Sequence, residues 1–309
     1  MSRALKVLGA AALGTLAWGT LIEPRLFTVR RHELPVLRPG AQPVRLLQLS
    51  DLHLAPWQHQ KIDWVRRLAS LRPDLVVLTG DLMGHLDARG PLLHALRPLA
   101  TAGIPGVFVH GSNDYYGPIL KNPINYLREP SRLSTRQPDI DNLALTRGLI
   151  DLGFTDLNNA AARLRVRDTS FEFFGLNDPH IRYDDLERMR AARGELPALD
   201  PDEGAAAVPV GVVHAPYQAA LGGLLEDGAD LILAGHTHGG QVRVPGVGAL
   251  TANCDLPVRQ ARGLSVWFDA HRAAHLNVSA GLGGSIYAPI RFACRPEASL
   301  LTLVPARTA

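Results

Sequence analysis

The chain has 309 residues, with 32 Lys plus Arg against 29 Asp plus Glu and a formal net charge of +3. That balance excludes an acidic tail and a strongly basic nucleic-acid binder. Hydrophobic residues make up 46%, and 29 glycines with 23 prolines stay below the roughly 25–30% typical of low-complexity chains, so one large globular domain with appendages, or two small ones, is expected.

Arg3 and Lys6 precede an apolar stretch, residues 7–22, that is rich in Gly, Ala and Leu and closed by Glu23-Pro24. This is the layout of a signal or anchor segment over residues 1–24. As a helix rising about 1.5 Å per residue, the apolar part reaches about 24 Å, short of the ~30 Å hydrocarbon core. No small-residue cleavage site stands out after it, which favours an uncleaved anchor and membrane association; an amphipathic helix packed on the domain is the competing reading. Arg25, Arg30 and Arg31 make the far flank basic as well, so charge does not decide which side of the membrane the domain faces. Residues 25–44, with Pro35, Pro39, Gly40 and Pro43, read as an extended linker to a domain over residues 45–309.

From Arg45 short apolar runs alternate with helical periodicity. Residues 46–49, 62–71, 75–78, 91–100 and 107–109 read as strand, helix, strand, helix, strand. Residues 115–140 hold Pro118, Pro123, Pro130 and Pro138 among scattered Lys and Arg and read as a surface loop or lid, a length that in compact domains is usually functional. Further strands are expected at 171–174, 208–213, 231–233, 265–268, 276–279 and 300–304, with a helix over 217–225. Cys254 and Cys294 exclude a disulfide-rich scaffold and leave one bridge or two buried thiols open.

The polar residues that stand out fall just past strand ends, where loops of an open α/β sheet converge over a ligand. Asp51-x-His53, Gly80-Asp81, Gly111-Ser112-Asn113-Asp114, His214 and Gly235-His236-Thr237-His238 end five segments of sheet in order. Any one has a bland reading as a turn Asp or a core His; their joint placement does not. Mixed carboxylate and imidazole ligation suits Mn, Fe or Zn better than Ca or Mg. Six or seven ligands exceed one tetrahedral zinc and fit two divalent ions ~3.5–4 Å apart with a bridging carboxylate.

In this order the blocks resemble the motif set of the calcineurin-like metallophosphoesterases, over a region from about Arg45 to the end, and the apolar segment resembles the bacterial membrane-associated subgroup. The resemblance implies an α/β fold: a four-layer αββα sandwich of two mixed β-sheets flanked by helices. It also implies that Asp51, His53 and His238 hold one metal, Asp81 bridges, and His214 and His236 hold the second. A bridging water or hydroxide would then attack phosphorus in line while both metals neutralise phosphoryl charge.

One block departs from the family pattern, which usually reads Gly-Asn-His followed by Asp or Glu. A gapless match puts Ser112 at the metal-binding Asn position and Asn113 at the His position; a shift of one residue restores Asn113. Asn113 is preferred as ligand because its amide oxygen is a better neutral donor than a Ser hydroxyl. Under either match the proton-donating His is missing, a role often worth ~10²–10⁴ in rate. His110 and His180 are the candidates to replace it beside Asp81 and Asn113, and good leaving groups, as in diesters or pyrophosphates, are the alternative. Arg262, Tyr287 and Arg291, with the glycines at 281–284, are candidate substrate contacts. Lys121, Arg128, Arg132 and Arg136 on the lid, with Trp57 and Tyr115-Tyr116, are candidates to meet an anionic headgroup or membrane surface.

The expected function is a membrane-associated phosphoesterase acting on phosphomono- or phosphodiesters, a lipid-linked ester among the candidates. A soluble nucleotide phosphodiesterase and a catalytically weak metal-binding scaffold or receptor at the membrane are the rivals. A nucleic-acid partner is not expected from so small a net charge.

Overall fold

The computed structural model describes residues 3–119, 136–198, 206–287 and 289–306. The apolar runs become strands β2 (Val44–Leu49), β3 (Leu75–Thr79) and β4 (Gly106–Val109), connected by helices His59–Arg67 and Arg89–Thr101. Parallel crossovers of this kind put a helix over one face of the sheet, and a second layer must cover the other, so the strands are apolar on both faces rather than alternating with polar residues. Alternate residues then split between two cores. Leu47, Leu49, Val76 and Leu78 face the helices, whereas Leu46, Leu75 and Val77 face the second sheet.

Helix Asn142–Asp151 leads into β5 (Phe154–Asp156), followed by β6 (Ala160–Val166), β7 (Thr169–Gly175) and helix Leu186–Gly194. Then come β8 (Val208–Val212), helix Gln218–Glu226 and β9 (Leu231–Ala234). The small hairpin β10 (Arg243–Val244) and β11 (Gly248–Ala249) precedes β12 (Gly263–Phe268), β13 (Ala273–Val278) and β14 (Glu297–Pro305). With β1 (Thr28–Leu37), these form two six-stranded mixed sheets in the orders β1-β14-β2-β3-β4-β5 and β12-β13-β9-β8-β7-β6. The inner faces meet through Val77, Val107, Leu301, Phe171, Val210 and Leu233, and the outer face of the second sheet is covered by Leu221, Leu224, Leu225 and Met189 from its helices. The fold is therefore the expected α/β sandwich with four layers. Near the strand ends the sheets are tied by buried amides: Asn277 Nδ2 donates to Gln48 Oε1 at 2.7 Å, and Gln48 Nε2 donates to the Ala234 carbonyl at 2.8 Å.

One expectation changes, and the choice left open for the cysteines is decided. The stretch expected as a linker is extended, but residues 28–37 are the edge strand of the first sheet, parallel to β14 from Thr28 opposite Glu297. Its Pro35 misled because Pro is tolerated at a sheet edge, and Leu34 and Leu37 anchor the strand in the inter-sheet core. Cys254 and Cys294 are separate buried thiols. The amino-terminal helix Arg3–Ala17 continues through a π turn, Trp18–Ile22, and a 3-10 turn, Glu23–Arg25. Lys6–Arg25 is long and apolar enough to cross a membrane by length and composition.

Candidate metal centre

The strands that carry the motifs lie side by side within each sheet, and the inward packing of the sheets brings their carboxyl ends together. Asp51 and His53 follow β2, Asp81 follows β3, Ser112 and Asn113 follow β4, His214 follows β8, and His236 and His238 follow β9. Asp51, His53, Asp81, His236 and His238 all adopt positive φ, between 39° and 66°. For residues with a Cβ this conformation costs about 1–3 kcal/mol each and persists only where the surroundings impose it. Glycines make the close approach feasible. A Cβ on Gly235 would overlap Ser50 Oγ, and one on Gly281, at φ +67°, would overlap the Cβ of Asp51.

Two groups of ligand atoms form, Asp51 with His53 and His238, and Asp51 with Asp81 and His214, each with its atoms within 4.8 Å of one another. Asp81 Oδ2 lies 3.4 Å from His53 Nε2 of the first group and 3.4 Å from His214 Nε2 of its own. His238 Nε2 lies 3.7 Å from Asp51 Oδ1. Asn113 donates its backbone N–H to Asp81 Oδ1 at 2.7 Å and its amide to Oδ2 at 2.8 Å, which places its side chain on the carboxylate expected to bridge. His214 Nδ1 meets the Thr79 carbonyl at 2.7 Å, an arrangement that turns Nε2 inward. His236 is beside His214, ring centroids 5.2 Å apart, with its Nε2 3.2 Å from the Asn253 carbonyl.

Burial governs the charges. It pushes the Asp51 carboxyl up to about 7 and His53 down to about 4, and holds His236 and His238 well below the ordinary histidine value. For Asp81, burial is outweighed by His214 and His53, and the carboxyl sits well below its usual range. For His214, burial is outweighed by Asp81 and Asp178, and the imidazole sits well above its usual value. Among the described residues, the buried His53 Nε2, His214 Nε2 and His238 Nδ1 find no hydrogen-bond partner. Buried nitrogens left unmade are costly unless something else takes their lone pairs, so a divalent cation fits this donor set, which mixes imidazole with carboxylate.

Several sequence expectations are corrected. Arg262 is ion-paired to the buried Glu297, its Nε 2.9 Å from Oε2. Arg291 is 3% exposed and donates to the carbonyls of Ala280, Gly281, Gly283 and Cys294. Both side chains are thus engaged as braces of the surrounding loops. Gly281 and Gly283 back onto Asp51 and His53 instead of facing a phosphate. His110 is also removed from the reacting set, since its Nε2 lies 2.8 Å from Thr146 Oγ1 on helix Asn142–Asp151 and its ring packs on Phe108 and Tyr115. His180 is brought in: its ring centroid is 4.7 Å from that of His236, and Nδ1 lies 3.0 Å from the Tyr217 hydroxyl. Tyr287 remains exposed at the surface. Lys121, Arg128 and Arg132 lie outside the described residues, while Arg136 bonds the Gly117 carbonyl and pairs with Asp139.

Sequence reasoning missed the supports. Ser50 donates to Asp51 at 2.5 Å, Asn253 meets His236, and Asp114 accepts from the N–H groups of Leu82, Met83 and Gly111. Asp114 had a signal, as the last residue of its motif block; Asn253 had none, because only folding brings it to His236.

A match to the family model for calcineurin-like phosphoesterase spans residues 44–240 and takes in every ligand described above, and the chain belongs to that family. The chain is 28% identical to phosphodiesterase YaeI of Escherichia coli over 91% of its own length and 90% of that protein's. It is 26% identical to the UDP-2,3-diacylglucosamine pyrophosphatase LpxG of Chlamydia trachomatis over 97% and 96% of the two chains. A transmembrane protein with metallophosphoesterase domain from Bos taurus is 26% identical over 81% of this chain and 52% of that protein. The protein is a metal-dependent phosphoric ester hydrolase.

Proposed function

We propose a membrane-associated hydrolase of phosphodiesters or pyrophosphates that works with two divalent ions, Mn, Fe or Zn. The single observation that carries this reading is the pair of buried ligand groups, Asp51 with His53 and His238 and Asp51 with Asp81 and His214, in which Asp81 Oδ2 lies 3.4 Å from a histidine of each. Asp51, His53 and His238 would hold the first ion, and His214, His236 and Asn113 the second, with Asp81 shared by the two. When bound, the ions supply Lewis-acid activation of water and neutralise charge on the phosphoryl oxygens. The chain's own residues set the geometry. The Thr79 carbonyl orients His214 through Nδ1, and Asn253 holds His236 through Nε2. Asn113 cannot give up a proton, so His180, oriented by Tyr217, takes the role of donor to the leaving oxygen. The apolar segment at residues 3–22 anchors the domain to a membrane. The activity on a lipid-bearing pyrophosphate named for LpxG supports an amphiphilic ester as the substrate class.

Turnover of an aryl phosphodiester by Mn-loaded protein, with metal content measured alongside, tests this reading. Two metals per chain are expected, with turnover abolished in Asp81→Asn and one metal retained in Asn113→Ala. The altered Ser112-Asn113 block favours a second reading, a metal-binding scaffold at the membrane; two bound metals without turnover in the unmutated protein would select it.

A further inference from the structure

The amino-terminal segment does not end loosely at the domain surface. Glu23 is 3% exposed and accepts three hydrogen bonds: from Trp18 Nε1 at 2.7 Å, from the Ala293 N–H at 3.0 Å and from the Cys294 N–H at 2.5 Å. Two further main-chain bonds fasten the same stretch, from Arg291 N–H to the Gly19 carbonyl at 2.8 Å and from Thr28 N–H to the Pro296 carbonyl at 2.9 Å. Gly19 is where the chains come closest, since an added Cβ would lie 3.2 Å from the Arg291 carbonyl oxygen.

The loop that Glu23 holds is the back wall of the first metal site. Cys294 Sγ donates to the His238 carbonyl at 3.3 Å. Arg291 gathers the carbonyls of Ala280, Gly281 and Gly283 at 2.5–3.2 Å. That turn in turn bonds the main chain under the ligands, from Leu282 N–H to the Ser50 carbonyl at 3.1 Å and from Gly283 N–H to the Asp51 carbonyl at 2.6 Å. Thus Asp51, His53 and His238 are each backed by residues that Glu23 or Arg291 fixes in place. Among the described residues, the hydrogen bonds of residues 18–26 to the domain run to 291–294 and to none of Asp81, Asn113 and His214. Those second-site residues are braced by Thr79 and by the block after β4 instead.

We propose that Glu23 is a positioning residue for the first metal site, so that the apolar segment is a working part of the hydrolase and its withdrawal loosens one ion selectively. The inference rests on the two-ion reading of the centre. It also means that a chain cut after residue 24 lacks part of the site's support.

The test is Mn²⁺ binding to the purified full-length chain, followed by electron paramagnetic resonance, with His53→Ala and His214→Ala used to assign the first and second sites. Loss of a partner behind a metal ligand typically weakens affinity by about 10–100-fold. Glu23→Ala should show that loss at the first site with the second unchanged, Glu23→Gln a smaller loss because one acceptor oxygen remains, and Cys294→Ala a loss at the same site. If Glu23→Ala does not fold, the other two variants decide. Wild-type affinity at both sites in the folded variants, or equal weakening of both, overturns the proposal. Fewer than two Mn²⁺ in the unmutated chain overturns the two-ion reading itself, whatever the Glu23 variants do.

Discussion

Lowering the pH should strip metal from this protein in a way that its buried charges set in advance. Asp51 ligates only as a carboxylate, yet burial pushes it up to about 7. His214 ligates only after losing its Nε2 proton, yet Asp81 and Asp178 overcome burial and hold it well above the usual histidine value. Metal entry below pH ~7 therefore expels about two protons, and affinity rises with pH because ion and protons compete for the same atoms. Each proton released is worth about tenfold, or ~1.4 kcal/mol, per pH unit. His53, at about 4, is already neutral above pH ~5, His236 and His238 are held well below the usual histidine value by burial, and Asp81 is held well below the usual carboxylate range, so these add little to the slope. The expected apparent affinity for Mn²⁺ climbs by about 10–100-fold per unit from pH 5.5 to 7, then by no more than about tenfold per unit as Asp51 drops out. Calorimetric titration in two buffers of different ionisation enthalpy counts the protons directly. An affinity flat from about pH 5.5 to 7.5, with no net proton release, would refute the reasoning.

Replacement of His180 by Gln keeps the side chain near His236 but removes the proton, so turnover of alkyl esters should fall by about 10²–10⁴ while that of an activated aryl ester changes little; equal losses on both would assign His180 a purely structural part. Gly281→Ala forces a Cβ into Asp51 at φ +67° and should lower stability by at least about 1–3 kcal/mol in thermal unfolding, with first-site metal lost. Gly222→Ala, in helix Gln218–Glu226 with open space around its Cα, is the matched control and should stabilise by about 0.5–1 kcal/mol.

Much of this molecule was legible in one dimension because its strands are buried on both faces and therefore form unbroken apolar runs. Residues 46–49, 75–78, 107–109 and 231–233 announce themselves in this way, and each is followed by the polar residues that make the site. What escaped were short or edge elements whose residues satisfy only one face. β1 carries a proline, Pro35, that an edge tolerates, and β6 is half-exposed along most of its length. The ligand types and their order were likewise set locally, because a strand end followed by Asp, His or Gly is a statement about neighbouring residues. Partnership was not local. Nothing in the sequence says that Arg262 is bound to Glu297, that Arg291 is buried among four carbonyls, or that Glu23 reaches Cys294 across 271 positions of chain. A charged side chain reads alike whether it meets substrate, water or a buried partner until packing decides which of them is within reach. The sequence by itself thus determined the layered architecture and the candidate ligands, while tertiary structure alone decided which charges gather at the site and which are paired away from it.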